Sequence, residues 1–115
     1  IHNVLRRSLI MAITRYHNID GSSKTIVELI PPLGGANTLK SIMITPLSGT
    51  NPTMSLFIQR PTDTGTDKFN IIDGIVVKLG SSLVLDNSMF HITNDFGLYM
   101  KLDASSTADV LLNLN

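Results

Sequence analysis

The sequence predicts an all-β domain, an antiparallel β-sandwich of jelly-roll type with about eight strands. Apolar and polar residues alternate in short runs, which is the period of a strand with one buried face. Turn residues separate these runs about every 8 to 12 positions, a spacing typical of sandwiches and barrels. No convincing helical periodicity follows the first dozen residues. Because strands do not alternate with helices, a parallel sheet is not expected.

The clearest alternation lies towards the C-terminal end of the sequence. Residues 97–103 and 107–115 each place apolar side chains at every second position, and a short polar connection separates the two runs. We predict two strands joined as a hairpin. The side chains expected to face inward are Leu98, Met100, Leu102, Ala108, Val110, Leu112 and Leu114.

The other strands are predicted at 24–30, 39–45, 53–60, 69–72, 75–79 and 82–86.

Three of these segments carry more specific expectations. Residues 24–30 are apolar on both faces, as in a strand that is buried between layers. Asp73-Gly74 lies between two of the runs and suits a tight hairpin turn. Alternation in residues 89–93 also predicts that His91 lies in a strand.

The length allows one domain, since 115 residues fall in the commonest range for a single core. We expect residues 11–115 to form this domain and Met11 to be the natural start. Residues 1–10 are then a leader or extension from a gene boundary or from cloning, and need not be native. The apolar run at 9–13 is shorter than a secretory signal core. No run approaches the roughly 20 residues of a membrane span, so no membrane partner is expected.

The charge balance favours self-association and excludes an obvious nucleic-acid partner. Nine Lys and Arg face nine Asp and Glu, for a net charge of zero. A net charge near zero leaves little repulsion between copies. Binding to a phosphate backbone needs a dense basic field, which this balance does not provide. Because cysteine is absent, disulfides, thiol nucleophiles and thiolate metal sites are all excluded.

The sequence predicts no metal site and no cofactor. His17 and Asp20 could supply half of a site, but zinc takes three or four ligands at recognisable spacing. Asp63 and Asp67 flank a glycine and faintly resemble a calcium loop, yet calcium takes six to eight oxygen ligands. We interpret residues 63–67 as a loop with local hydrogen bonds. His91 is expected to be a surface or hydrogen-bonded histidine.

No catalytic residues are predicted either. The chain lacks the Gly-x-Ser-x-Gly turn of hydrolases, and Gly80-Ser81-Ser82 is better interpreted as a turn that enters a strand. Glu28 is the sole glutamate and lies in an apolar run, where pairing with Lys24 or another basic residue is expected. The sequence therefore does not indicate an enzyme.

Three apolar residues interrupt the alternation by facing outward: Phe57, Val84 and Leu111. They are the candidate contacts of an interface between protomers. The alternative is that they pack beneath loops or beneath the N-terminal segment.

The order of several segments resembles a family of virus proteins. The chain opens Met11-Ala-Ile-Thr-Arg-Tyr-His-Asn and passes a Pro-Pro/Gly break. It then reads Ile75-Val-Val-Lys-Leu-Gly-Ser-Ser-Leu-Val-Leu and ends with two alternating strands. This order is similar to small β-sandwich virion structural proteins of tailed phages, marine ones especially, which are mostly uncharacterised. The resemblance covers about residues 11–115 and carries no catalytic motif.

The resemblance implies a structural subunit of the head, neck, tail or fibre that works by homo-oligomeric assembly. Its partners would be copies of itself and other virion proteins, in the virion or in the host cytoplasm before assembly. A ligand- or carbohydrate-binding β-module is the alternative, since jelly rolls host such sites. An enzyme of cupin type is a third possibility and would need inward-facing histidines with an acid.

Overall fold

A computed structural model describes residues 12–22, 26–86, 88 and 91–114, with the side chains of 12–18 left aside. The predictions for residues 1–10, Met11 and Lys24 lie outside the described residues. So does any role for the side chain of His17.

Eight strands make up the described fold, together with a single 3-10 turn at Ala36–Thr38. The strands are β1 Ala12–Asp20, β2 Ile26–Ile30, β3 Leu39–Ser48, β4 Thr53–Thr62, β5 Gly65–Val76, β6 Leu83–Asp86, β7 Gly97–Leu102 and β8 Thr107–Leu114.

The strands form two antiparallel sheets of four. Sheet A has the order β1-β8-β3-β6, and sheet B has the order β2-β7-β4-β5. The pairs β1–β8, β2–β7, β3–β6 and β4–β5 are those of one long hairpin, turning between β4 and β5, that has been rolled into two layers. This is the topology of an eight-stranded jelly roll. The predicted all-β sandwich is therefore confirmed.

The core lies between the inner faces of the two sheets. Alternate side chains of β7 and β8 are almost completely buried, as the sequence predicted. Burying an aliphatic side chain of this size stabilises the fold by roughly 1.5–3 kcal/mol. The most completely buried side chains are Ile42, Ile44, Met54, Leu56, Leu98, Met100, Leu102, Val110 and Leu112.

The predicted hairpin of the two C-terminal strands is wrong. β7 belongs to sheet B and β8 belongs to sheet A, so the two strands do not pair with each other. The short connection at 103–106 crosses from one sheet to the other, which alternation within each strand does not reveal.

The prediction of a hairpin at Asp73-Gly74 is also wrong. β5 runs without interruption through both residues, and the register against β4 shifts there. Gly74 has φ 70° and its N–H donates to Ser55 Oγ at 2.8 Å. A glycine with positive φ suits a bulge as well as a tight turn, which explains the error. The actual hairpin joins β4 and β5 at Asp63-Thr64.

The expected number of strands is right, but two of the assignments behind it are not. β1 was not predicted, because a register shift between Tyr16 and Ile19 breaks its alternation. The runs predicted at 69–72 and 75–79 both fall on β5, which ends at Val76. One strand was therefore missed and one was counted twice, so the number of strands is still eight. His91 lies in an irregular segment and is exposed.

β2 is also different from its prediction. It is an edge strand of sheet B, and Ile26 and Glu28 are exposed whereas Leu29 and Ile30 are buried. The apolar run at 26–30 is therefore only half buried, since no further layer of the described residues covers this strand on the outer face of sheet B.

The connections collect at two ends of the sandwich. At one end, here called the Asp103 end, Thr53 N donates to Asp103 Oδ1 at 2.9 Å and Gly21 N donates to Ser106 O at 3.0 Å. At the opposite end, called the Arg60 end, Leu33 N donates to Asn94 O at 2.8 Å. These bonds tie together loops that are distant in sequence.

Asp103 has a strongly perturbed acidity. Burial by itself raises the pKa of this carboxyl, but hydrogen bonds from Thr53 N and from Ser105 Oγ, at 2.7 Å, outweigh it and lower the pKa to about 2. The ionised carboxylate therefore links the β3–β4 and β7–β8 connections.

Candidate functional site

The three predicted interface residues lie on opposite sides of the sandwich. Val84 on β6 and Leu111 on β8 face outward from sheet A, and Phe57 on β4 faces outward from sheet B. The structure thus brings two of the three together and separates the third.

Val84 and Leu111 belong to one row across sheet A. The register places Met43 opposite both of them, so Leu111, Met43 and Val84 follow one another on β8, β3 and β6. We call these three residues the sheet A row. Val84 is 58% exposed and Met43 is 36% exposed, and Leu111 is half-buried. On β1, Arg15 stands at the next position of the same row.

Met43 was missed in the sequence, although a signal for it exists. It lies between Ile42 and Ile44, so the segment is apolar at three consecutive positions. The neighbours are both fully buried. In a two-layer sandwich the middle residue must then face outward.

The surroundings of the sheet A row are mostly small and neutral. Thr45 Oγ1 and Ser82 Oγ are 2.8 Å apart and share a hydrogen bond on one side of the row. Ser41 and Asn113 pair on the other side. Asp86 lies beyond Ser41 on β6, and hydrogen bonds from the Ser88 hydroxyl and N–H lower the pKa of its carboxyl. Asp109 on β8 lies opposite Thr45, and Arg15 is at the β1 end of the row, so charged positions of both signs border an apolar centre.

β6 gives the sheet A row an open edge. It has four residues and pairs with β3 over Ser41–Ile44. In the described part of the chain no strand pairs with its other side. Edge strands expose unpaired N–H and C=O groups to a neighbouring chain.

Phe57 faces outward but is covered by its own chain. Its ring stacks on Tyr99, with centroids 5.5 Å apart and planes 10° apart, and Lys68 Nζ lies 4.3 Å from its centroid. Only 3% of Phe57 is exposed. A second protomer would therefore meet Tyr99 and Lys68 first. The interface role of Phe57 stays a prediction.

Tyr99 is held on its other side by Glu28. The phenol donates to Glu28 Oε2 at 3.0 Å. Burial, and then the nearby carboxylate, raise the pKa of Tyr99. Glu28 thus has a tyrosine partner, and its predicted pairing with Lys24 lies outside the described residues.

Arg60 is the centre of an ionic cluster at the Arg60 end. Its Nε and Nη2 each lie 3.3 Å from Asp67 Oδ2, and Nη1 donates to Asp95. The guanidinium also lies 4.8 Å from the centroid of Phe96. The carboxylates Asp63 and Asp67 do not form a common loop, because Asp63 is in the hairpin turn and Asp67 is in β5.

No group of three or more metal-ligating side chains occurs among the described residues. Ser81 makes a turn, with its hydroxyl donating to Lys78 O at 2.6 Å, as expected for the segment before β6. None of the described segments is a helix long and apolar enough to cross a membrane.

Comparisons with known proteins do not assign a family. The sequence matches no protein-family model, and it matches none of the curated proteins.

Proposed function

We propose that this chain is a non-enzymatic structural subunit of a phage particle that works by homo-oligomeric assembly. The observation that carries the proposal is the sheet A row, an exposed apolar line across three strands. Copies of the chain are the proposed partners, and the virion is the proposed location, with the host cytoplasm before assembly.

Burial of the sheet A row supplies the driving force. The exposed parts of Val84, Met43 and Leu111 amount to on the order of 200 Å² of apolar surface, or roughly 5 kcal/mol for each protomer. Association costs about 4–15 kcal/mol in lost freedom, so one such contact gives weak pairing. We therefore expect micromolar to millimolar association of free subunits, strengthened in a particle by several contacts at once.

The charge distribution favours a second copy as the occupant. The whole chain has no net charge, so identical subunits do not repel one another at long range. In a symmetric pair the same patch lies on both sides of the interface. A neutral, apolar row is compatible with itself in that arrangement, whereas a strongly charged one is not.

Two further points support a particle subunit. The jelly-roll topology is used by viral capsid proteins, although lectins and cupins also use it. The resemblance of residues 11–115 to virion proteins of tailed phages favours the first of these. Mass spectrometry of density-purified phage particles from the source should detect the chain as a component, and its absence from them would contradict the particle role.

The assembly role is tested by replacing Val84 with lysine. Sedimentation velocity from about 10 µM to about 1 mM should show the wild-type mass rising above the 12.5 kDa of one chain. Val84→Lys should weaken association at least about tenfold, because each interface would bury two like charges.

Ile26→Lys is the matched control. Ile26 is 47% exposed and lies on β2, the edge strand of the other sheet. This variant should associate like the wild type, and circular dichroism should show both variants folded. A strictly monomeric wild type, or equal association of wild type and Val84→Lys, would refute the proposal.

A further inference from the structure

A groove lies on the outer face of sheet B near the Arg60 end. Its volume is about 300 Å³, at the lower limit of small-molecule sites. Tyr99 on β7 and Gln59 on β4 contribute from the central strands, and Thr66 contributes from β5. Pro32 and Pro61 complete the lining with apolar ring surfaces.

The wall at Pro32 depends on a glycine. A Cβ at Gly97 would lie 2.8 Å from Ile30 O and 2.9 Å from Pro32 Cδ. The missing side chain allows the β2–β3 loop to rest on β7, beside Tyr99. The wall is thus fixed by packing against a central strand.

A second depression of about 280 Å³ adjoins the first. The two share Pro32, Arg60 and Pro61 as lining residues, so they form one elongated groove. We call the pair the sheet B groove. Leu33 extends the second part and is 73% exposed.

The loop that carries Leu33 is held in an unusual conformation. Leu33 has φ 64°, which is uncommon for a residue with a side chain. Its N–H donates to Asn94 O at 2.8 Å, and Gly35 N donates to Asn94 Oδ1 at 2.9 Å. These bonds hold an apolar side chain in water at the rim of the groove.

The charges around the sheet B groove disfavour an anionic ligand. Arg60 is the cation in the lining, and it already binds Asp67 and Asp95. Glu28 and Asp95 are the carboxylates of the lining, and Asp67 lies beside it as a partner of Arg60. Lys68 is the strand neighbour of Gln59, so three carboxylates face two cations, and the small negative charge that remains disfavours phosphate and carboxylate groups.

The remaining groups in the groove are neutral donors, neutral acceptors and apolar rings. The Gln59 amide, the Thr66 hydroxyl and the Tyr99 phenol can bond to hydroxyl groups. The two prolines and Leu33 offer flat apolar surface. A sugar ring has hydroxyl groups at its edge, which can bond to these polar groups, and C–H faces, which can pack on the apolar surface. We propose that the sheet B groove binds a neutral oligosaccharide of two or three rings.

The test is a titration of the ¹⁵N-labelled full chain, followed by amide chemical shifts, with named saccharides. The neutral probes are maltotriose, cellotriose and triacetylchitotriose. We expect saturable shifts for at least one of them, centred on Gln59, Tyr99 and Leu33. No saturable shift with any of the three, or shifts centred on the sheet A row, would overturn the proposal.

An anionic probe separates the neutral assignment from its rival. Trigalacturonic acid is an anionic trisaccharide of the same length as the neutral probes. The negative local charge should make it bind at least about fivefold more weakly than the best neutral trisaccharide. Tighter binding of trigalacturonic acid would overturn the assignment to neutral sugars.

Matched variants place the binding in the groove. Gln59→Ala should weaken binding at least about fivefold, and Lys101→Ala, at an exposed position of the same β7 strand outside the groove lining, should not change it. Equal binding by Gln59→Ala and the wild type would contradict the site. The sheet B groove and Val84 lie on different sheets, so Val84→Lys should bind the same saccharide with unchanged affinity.

Discussion

Two outward-facing apolar positions at the centres of the two sheets differ in how they are covered. On sheet A, Val84 and Met43 remain exposed. On sheet B, Phe57 is covered by the ring of Tyr99 and the amine of Lys68, although Ile26 and Val76 on the edge strands of that sheet are exposed. An apolar residue that is covered within its own chain contributes to folding, whereas one left in water is available to a partner. We therefore expect Phe57 to contribute to folding stability, and Val84 and Met43 to contribute to association.

The strongest test of this comparison is truncation on each face. Phe57→Ala should lower the free energy of unfolding by about 3 kcal/mol, since it removes a buried ring and leaves Tyr99 unsupported. Val84→Ala should change it by less than about 0.5 kcal/mol, as for most surface substitutions. Urea denaturation at low protein concentration measures both. Similar losses for the two variants would mean that the faces do not differ in this way.

Acid titration extends the comparison to carboxylates. The folded pKa of Asp103, about 2, lies below its unfolded value, so its contribution is present above about pH 4 and is lost as the pH falls towards 2. Because the group is partly exposed, we expect this contribution to be about 1 kcal/mol.

Asp103→Asn should therefore lower stability at pH 7 by about that amount and flatten the fall in stability between pH 4 and pH 2. Asp86→Asn, on the exposed sheet A side, is the control and should have a smaller effect. Denaturant unfolding at several pH values gives both profiles. An unchanged acid profile in Asp103→Asn would contradict the assignment.

The smallest expected effect concerns the cover on Phe57. Lys68→Ala removes the amine above the ring and should cost about 0.5 kcal/mol, as for exposed cation–π contacts. Lys101→Ala, on the same sheet, is the control and should be neutral. Thermal unfolding of the two variants under identical conditions is the measurement. A larger loss in the control would show that Lys68 does not protect the ring.

Alternation was sufficient to predict the central strands and the short edge strand β6, but not the other three edges. β7 and β8 were located to within a residue, because each has one fully buried face. The edge strands β1, β2 and β5 were misjudged, since bulges and half-burial disturb their period. Strand pairing at an edge depends on one neighbour only, so the sequence tolerates irregularity there.

The candidate surfaces were predictable only in part. Outward direction followed from alternation for Val84, Leu111 and Phe57. The exposure of these side chains did not follow from alternation. Phe57 is covered by Tyr99, which lies on a strand distant in sequence, and by Lys68, which lies on the strand after the β4–β5 turn. The Arg60 cluster and the sheet B groove were missed for the same reason. Their members come from separate loops and strands that meet only in the folded chain.

The rolled-hairpin pairing also affects the order in which the chain can fold. β8 lies between β1 and β3, so β1 finds its partner in the described fold only when β8 has been synthesised. A ribosome-bound chain that ends before Thr107 would hold β1 without a neighbour. Pairing of such distant segments is slow and leaves intermediates prone to aggregation. We expect sheet A to close only after β8 has emerged from the ribosome.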